Sequence, residues 1–209
     1  MVQSPPRWVR ALRLVFAAVA LLAIIVQARQ SFANGFPPAN FFSFFTIQSN
    51  LFAVAVLFWT VAARGASQPS VRRDLVRGAA VLYLSITGVV YGVLLAGYQQ
   101  ELQTTIPWVD TVLHKIIPLV MLMDWLIEPP AHILSFRRAF VWLAYPVVYV
   151  TYSLLRGPLV GWYPYPFLNP AQPGGYAAIA AYSVGIAAFS LLLTWLLVTI
   201  GKHVRLVVA

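Results

Sequence analysis

The chain has 209 residues, of which 61% are hydrophobic and only 9% are charged, and its formal net charge is +9. A soluble domain has about 25% charged residues, so this composition excludes an ordinary soluble protein and indicates a helical membrane protein. The chain contains no cysteine. Disulfides, thiolate catalysis and cysteine-based metal sites are therefore excluded as well.

Long apolar segments, separated by short polar ones, predict an all-α protein with six transmembrane helices in a single domain, residues 1–209. The first segment follows several arginines, as a signal peptide does, but further spans follow it, so we expect an uncleaved helix. The approximate spans are 11–30, 42–63, 78–97, 109–128, 139–156 and 175–200.

The basic residues are distributed unevenly between the predicted connections. Eleven of the 14 lysines and arginines fall in the two termini and in the connections 64–77 and 129–138. The positive-inside rule makes this side cytoplasmic, with both termini inside. We therefore expect a multi-pass protein of the plasma (inner) membrane that contacts anionic lipid headgroups, and no nucleic-acid partner. The preference for arginine over lysine favours a bacterial source.

The connection 157–175 is rich in proline and in aromatic residues, namely Trp162, Tyr163, Tyr165 and Phe167. Proline excludes a continuous helix through this segment. Two interpretations are open. The aromatic rings either form a belt at the lipid headgroups, or the segment is a semi-rigid cap over a cavity that faces outward.

The polar segment FFTIQSN (44–50) stands where the second span should begin. The apolar residues 51–63 that follow would form a helix of only about 20 Å, whereas the hydrocarbon core is about 30 Å thick. We therefore expect the polar segment to be helical and within the membrane, with its side chains toward other helices. Thr46 and Asn50 are one turn apart and share a face.

The fourth span carries matching polar residues. Asp110 and His114 are also one turn apart, and His114 is predicted at about the same depth as Thr46, roughly 6–8 Å below the outer boundary. Pro118 lacks the N–H group that the His114 carbonyl would accept. The sequence therefore predicts a kink or another donor at this carbonyl.

These residues are compatible with nucleophilic catalysis. A threonine hydroxyl becomes a nucleophile when a base such as histidine takes its proton, and a carboxylate such as Asp110 can orient the imidazole. Amides inside a helix are already used, so Asn50, Lys115 or a tyrosine such as Tyr91 would have to stabilise an oxyanion. A site at this depth would take lipid-like esters.

Other interpretations of the same residues stay open. Thr46, Asn50 and His114 also fit interhelical hydrogen bonds, Lys115 fits a side chain that reaches the headgroups, and the cluster fits a path for a hydrophobic ligand. The histidine spacing matches no metal site and no glycine-rich phosphate loop occurs, so we expect no metal and no cofactor. Asp124 and Glu128 are predicted to pair with arginines.

Three segments resemble a known family: FFSFFTIQSNLFAVAVLFW (41–59), DTVLHKIIPLVMLMDWLI (110–127) and WYPYPFLNP (162–170). The chain is similar to the family of androgen-induced proteins and androgen-dependent TFPI-regulating proteins, and nearly all of it to the bacterial branch of uncharacterised six-helix membrane proteins. Animal members are intramembrane threonine hydrolases that cleave fatty acid esters of hydroxy fatty acids with one threonine and one histidine.

The resemblance implies that Thr46 and His114 are the catalytic residues of an intramembrane hydrolase of lipid esters. The substrate would be a lipid-like ester taken from the membrane. The alternative is a non-enzymatic membrane protein that binds or transports a hydrophobic ligand.

Overall fold

The computed structural model describes residues 6–62 and 70–208, and side chains as far as residue 205. The first part of the predicted 64–77 connection, with Arg64, lies outside the described residues. Within them the protein is helical and has no strand, which confirms the all-α prediction. Their α-helices are α1 (Arg7–Ala33), α2 (Pro38–Phe41), α3 (Phe45–Ala62), α4 (Val71–Val90), α5 (Pro107–Thr111), α6 (Ile117–Ile127), α7 (Phe136–Ala139), α8 (Ala144–Val160) and α9 (Gly175–Val208).

Short segments of other helix types extend or join these α-helices. Two are π-helical: Tyr91–Leu95 continues α4, and Val112–Ile116 joins α5 to α6. Two are 3₁₀-helical: Phe140–Leu143 precedes α8, and Pro166–Leu168 lies in the connection before α9. The chain from Pro107 to Ile127 is therefore one continuous helical stretch with a π segment in its middle.

Five helical stretches among the described residues are long and apolar enough to cross a membrane. The stretch from Pro107 to Ile127, predicted as the fourth span, is not one of them, because it carries Asp110, Lys115 and Asp124. The five are Arg7–Ala33, Phe45–Ala62, Val71–Leu95, Phe136–Val160 and Gly175–Arg205.

Helix α4 lies at the centre of the bundle, against α3, α6 and α9. In its most apolar part 67% of the residues are buried, whereas the same fraction is 22% in α9. The outer faces of α8 and α9 expose large aliphatic side chains; Leu159 is 84% exposed and Val184 69%. A soluble monomer rarely exposes so much contiguous apolar surface, and lipid tails would cover it.

The predicted second span, 42–63, is wrong at its start. The Ser43 hydroxyl donates to the Ala39 carbonyl (2.6 Å) and the Ser43 N–H to the Asn40 carbonyl (3.0 Å), so the chain turns before α3 begins at Phe45. Thr46 is thus the second residue of α3, not the fifth residue of a longer helix. Its backbone N–H lies in the first turn, where an α-helix offers no acceptor.

Charged residues link three helices at one end of the bundle, which we call the Arg13 end. Arg13 Nε lies 2.6 Å from Asp124 Oδ1, and Arg77 Nη2 lies 2.9 Å from Asp124 Oδ2. Arg13 Nη2 also lies 2.6 Å from Glu128 Oε2. These contacts tie α1, α4 and α6 together and confirm that Asp124 and Glu128 are charge partners of arginines.

Candidate active site

Thr46 and His114 meet at the opposite end of the bundle, which we call the Thr46 end. Thr46 Oγ1 lies 3.2 Å from His114 Nε2. The two side chains come from α3 and from the π segment Val112–Ile116, and they are only 8% and 3% exposed. The structure thus brings together the hydroxyl and the imidazole that the sequence placed at equal depth.

The second ring nitrogen of His114 fixes which nitrogen carries the proton. His114 Nδ1 lies 3.1 Å from the Asp110 carbonyl oxygen, in hydrogen-bond geometry, and 2.9 Å from Asp110 Oδ1. Both oxygens can only accept, so we assign the proton to Nδ1. The lone pair of Nε2 then faces Thr46 Oγ1, as a general base requires.

Tyr91 holds both members of the His114–Asp110 pair. Its ring stacks on the imidazole, with centroids 3.8 Å apart and planes 14° apart. Its hydroxyl donates to Asp110 Oδ2 at 2.7 Å, and Gln99 Nε2 donates to that hydroxyl at 3.4 Å. Because Tyr91 donates its hydroxyl hydrogen to Asp110, its contacts fit a role in orienting the His114–Asp110 pair better than the predicted oxyanion role.

The side-chain amide of Asn50 already donates two hydrogen bonds. Its amide nitrogen donates to the Thr46 carbonyl at 2.8 Å and to the Leu113 carbonyl at 3.2 Å. An amide nitrogen has two hydrogens, so no donor is left for an oxyanion, and that predicted role of Asn50 is wrong. The side chain instead fixes α3 against the π segment.

The π segment explains why Leu113 needs this donor. The Ile117 N–H donates to the Val112 carbonyl, five residues earlier. In the same register the next N–H would serve Leu113, but that residue is Pro118, which has none. The sequence argument assumed an α-helical register and placed the missing N–H at the His114 carbonyl. In the π register it falls at the Leu113 carbonyl, which accepts from Asn50 instead.

Lys115 does not belong to the site. Its side chain is exposed, and it lines neither of the cavities described below. Neighbouring residues on a helix point about 100° apart, so a buried His114 turns Lys115 outward. This position does not support the predicted oxyanion role of Lys115.

Tyr165 is the site residue that sequence reasoning missed. Its hydroxyl accepts a hydrogen bond from the Thr46 N–H at 3.3 Å, and its side chain is buried. Burial raises the pKa of the Tyr165 phenol above its ordinary value, so the hydroxyl keeps its proton. The prolines and aromatic rings of the 157–175 connection favoured a cap as one interpretation, but they did not single out this tyrosine.

Two cavities adjoin Thr46. The first has a volume of about 20 Å³, room for one water molecule, and is lined by Thr46, His114, Tyr165 and Gln27 among others. Gln27 Oε1 is buried there without a hydrogen-bond partner among the described residues. We call this space the polar cavity.

The second cavity has a volume of about 60 Å³ and lies between α3, α4, α8 and α9. Apolar side chains form most of its wall, and we call it the apolar groove. Thr46 and Tyr165 line both spaces. The candidate nucleophile thus stands between a water-sized polar cavity and an apolar groove.

Comparisons of the chain with models of protein families, with curated proteins and with solved structures gave no match. Within the described residues, no group of three or more His, Asp or Glu side chains is placed to hold a metal ion. The fold and the site together define a helical protein with five membrane-capable stretches and a buried Thr–His pair. The chemistry of this pair is inferred from its geometry.

Proposed function

We propose that the protein is an intramembrane hydrolase of lipid esters with Thr46 as nucleophile and His114 as general base. The observation that carries the proposal is the 3.2 Å contact between Thr46 Oγ1 and His114 Nε2, with the other ring nitrogen held by Asp110. Hydroxyl, imidazole and orienting acceptor are the three parts of a nucleophile–base–orienter triad.

The reaction proceeds in two halves. Thr46 Oγ1 attacks the ester carbonyl carbon while its proton passes to His114 Nε2, and the carbonyl π electrons move onto oxygen. The tetrahedral intermediate collapses with loss of the alcohol, which takes that proton from His114. A water in the polar cavity then gives a proton to His114 and attacks the carbonyl carbon of the acyl-threonine. The bond between that carbon and Thr46 Oγ1 breaks, His114 returns the proton to Oγ1, and the fatty acid is released.

Two donors beside the nucleophile would stabilise the oxyanion. The Thr46 N–H lies in the first turn of α3, where the helix dipole favours negative charge. The Tyr165 hydroxyl, in contact with that N–H, is the second hydrogen-bond donor. The substrate carbonyl oxygen would enter between the Thr46 N–H and the Tyr165 hydroxyl, break the hydrogen bond that joins them, and accept a hydrogen bond from each.

In this proposal the stretch from Pro107 to Ile127 also crosses the membrane, as the fourth of six spans in chain order. It measures about 30 Å at about 1.5 Å per residue, enough to cross the hydrocarbon core. Its two carboxylates have buried partners, His114 for Asp110 and Arg13 for Asp124, which lowers the cost of placing them in the membrane.

The distribution of basic residues supports an orientation with both termini in the cytoplasm. The Thr46 end then opens to the outer leaflet of the plasma membrane, where an ester can enter from the bilayer. The resemblance of residues 41–59 and 110–127 to the threonine hydrolases supports fatty acid esters of hydroxy fatty acids as substrates.

The enzyme is favoured over a non-catalytic carrier of a hydrophobic ligand. A carrier does not require the Thr46 and His114 side chains to touch, and a separation beyond about 6 Å would have favoured it. The observed 3.2 Å is hydrogen-bond distance.

The test is hydrolysis of a lipid ester by the purified protein and labelling by a fluorophosphonate probe. We expect Thr46→Ala and His114→Ala each to lower kcat by about 10³-fold or more, and Thr46→Ala to abolish labelling. The control is Thr60→Ala, a buried threonine of the same helix whose hydroxyl donates to the Leu57 carbonyl. Folded Thr46→Ala protein with full turnover would refute the proposal.

A further inference from the structure

We propose that the apolar groove binds the acyl chain of the ester and makes the protein selective for long acyl chains. This inference rests on the proposed ester hydrolysis. The groove begins at Thr46, and its wall includes Phe45, Ile86, Val150 and Ile186, one or more from each of the four helices around it.

The groove offers nothing to a polar ligand beyond the reacting groups at its end. The Thr87 hydroxyl, which also lines it, donates to the Tyr83 carbonyl (3.0 Å) and contacts Ser49 Oγ (2.9 Å). The Tyr149 hydroxyl donates to the Ser43 carbonyl at 3.0 Å. A headgroup would lose its hydrogen bonds to water without replacement, whereas an alkyl chain gains by burial.

The position of His114 decides which side of the ester carbonyl faces the apolar groove. The alcohol oxygen must lie near His114 Nε2, because this group protonates it as it leaves, and the later water must lie there too. His114 lines the polar cavity, but it is not among the described residues that line the apolar groove. The acyl chain, attached to the opposite side of the carbonyl carbon, is therefore directed into the groove.

A larger pocket adjoins the groove. Phe167 lines both the groove and a larger pocket of about 240 Å³ beside Leu94, Tyr98 and Tyr182. The Phe167 ring stacks on Tyr165, with centroids 5.3 Å apart and planes 9° apart. A long chain would therefore run from Thr46 past Phe167 to the surface of the bundle, while a short one would end inside the groove.

The first experiment measures kcat/KM for p-nitrophenyl acetate and p-nitrophenyl laurate with the full chain and with Val150→Trp. The indole would fill the groove, so we expect the laurate-to-acetate ratio to fall by about tenfold or more, since even one methylene that loses its place in an apolar pocket costs about tenfold. Val148→Trp is the matched control, since Val148 lies on the same helix and is 63% exposed.

A second variant guards against misfolding of the first. Ile186→Trp blocks the groove from α9, with the exposed Val184→Trp as its control. Retained hydrolysis of the acetate identifies folded protein. An unchanged laurate-to-acetate ratio in either folded groove variant would overturn the inference.

Binding of the fluorescent fatty acid cis-parinaric acid separates this inference from the proposed function, since binding needs no turnover. We expect saturable binding by wild type and by Thr46→Ala, and weaker binding by Val150→Trp. Wild-type protein that binds the fatty acid but hydrolyses no ester would refute the hydrolase and keep the acyl site. Protein that hydrolyses the laurate but binds equally well with and without a filled groove would refute the acyl site.

Discussion

Two buried polar clusters lie at opposite ends of one bundle, and they use different chemistry. At the Arg13 end, full charges face each other: Arg13 and Arg77 against Asp124 and Glu128. At the Thr46 end the central contact joins a hydroxyl to an imidazole. Both clusters interrupt apolar helices, where polar groups are costly unless they are partnered or functional.

The two clusters differ in how they would respond to the transfer of one proton. Asp124 has an arginine on each carboxylate oxygen, so protonating it or moving it would leave two buried arginines with Glu128 as their remaining charge partner. In the proposed mechanism one proton passes from the Thr46 hydroxyl to the His114 imidazole, and Thr46 adjoins both the polar cavity and the apolar groove. The first arrangement suits a fixed structural joint, and the second suits a reaction.

The largest effect on stability is expected at the Arg13 end. Asp124→Ala removes the buried carboxylate that Arg13 and Arg77 share and leaves them the partly exposed Glu128, which should lower the free energy of unfolding by about 3 kcal/mol. Thermal or denaturant unfolding in detergent measures this. The control is Glu101→Ala, which removes an exposed carboxylate. The folded fraction of Asp124→Ala should keep its kcat, and a wild-type unfolding curve would mean that the ion pairs do not hold the helices.

At the Thr46 end, Tyr165→Phe should affect catalysis more than stability, although the buried Thr46 N–H loses its acceptor, which should lower the free energy of unfolding by about 1–3 kcal/mol. Loss of one oxyanion donor should lower kcat by about 10²–10³-fold with little change in KM. Tyr149→Phe is the matched control, because that buried hydroxyl also lines the groove but donates to the Ser43 carbonyl instead of contacting Thr46. Equal kcat values for the two variants would remove Tyr165 from the mechanism.

Asp110→Asn should have a smaller effect than the loss of a triad carboxylate usually has. Where the carboxylate alone sets the tautomer, this change lowers kcat by about 10⁴-fold. Here the Asp110 carbonyl also accepts from His114 Nδ1. We therefore expect Asp110→Asn to lower kcat by only about 10–100-fold. Steady-state kinetics on p-nitrophenyl laurate measure it, with Glu101→Gln as control. A loss near 10⁴ would show that the backbone contact does not hold the proton on Nδ1.

Much of this comparison could be predicted from the sequence. Long apolar segments fixed the helical class, and the arginine positions anticipated the partners of Asp124. The pairing of Thr46 with His114 followed from depth alone, because a helix converts residue number into distance along its axis. Spacing of one turn also placed Asp110 on the same face as His114.

Other parts of the site depend on contacts that a pattern does not contain. Tyr165 lies 119 residues from Thr46 in the chain, in a segment whose path prolines and turns determine. The Ser43 hydrogen bonds start α3 late enough to free the Thr46 N–H. The π segment shifts the Leu113 carbonyl, and not that of His114, toward Asn50. The path of the chain to Tyr165, the start of α3 and the π segment all depend on backbone conformations that tertiary packing determines.

Lys115→Gln should have the smallest effect, although Lys115 adjoins His114 in sequence. An exposed ammonium is screened by water and salt, so we expect kcat/KM for p-nitrophenyl laurate to change by no more than about twofold. Arg156→Gln is an informative companion, because Arg156 Nη2 donates to Asn40 Oδ1 (2.6 Å) beside the turn that precedes α3. A tenfold loss with Lys115→Gln would mean that an exposed charge outside both cavities acts on the reaction, and the Thr46 end would then share the electrostatic character of the Arg13 end.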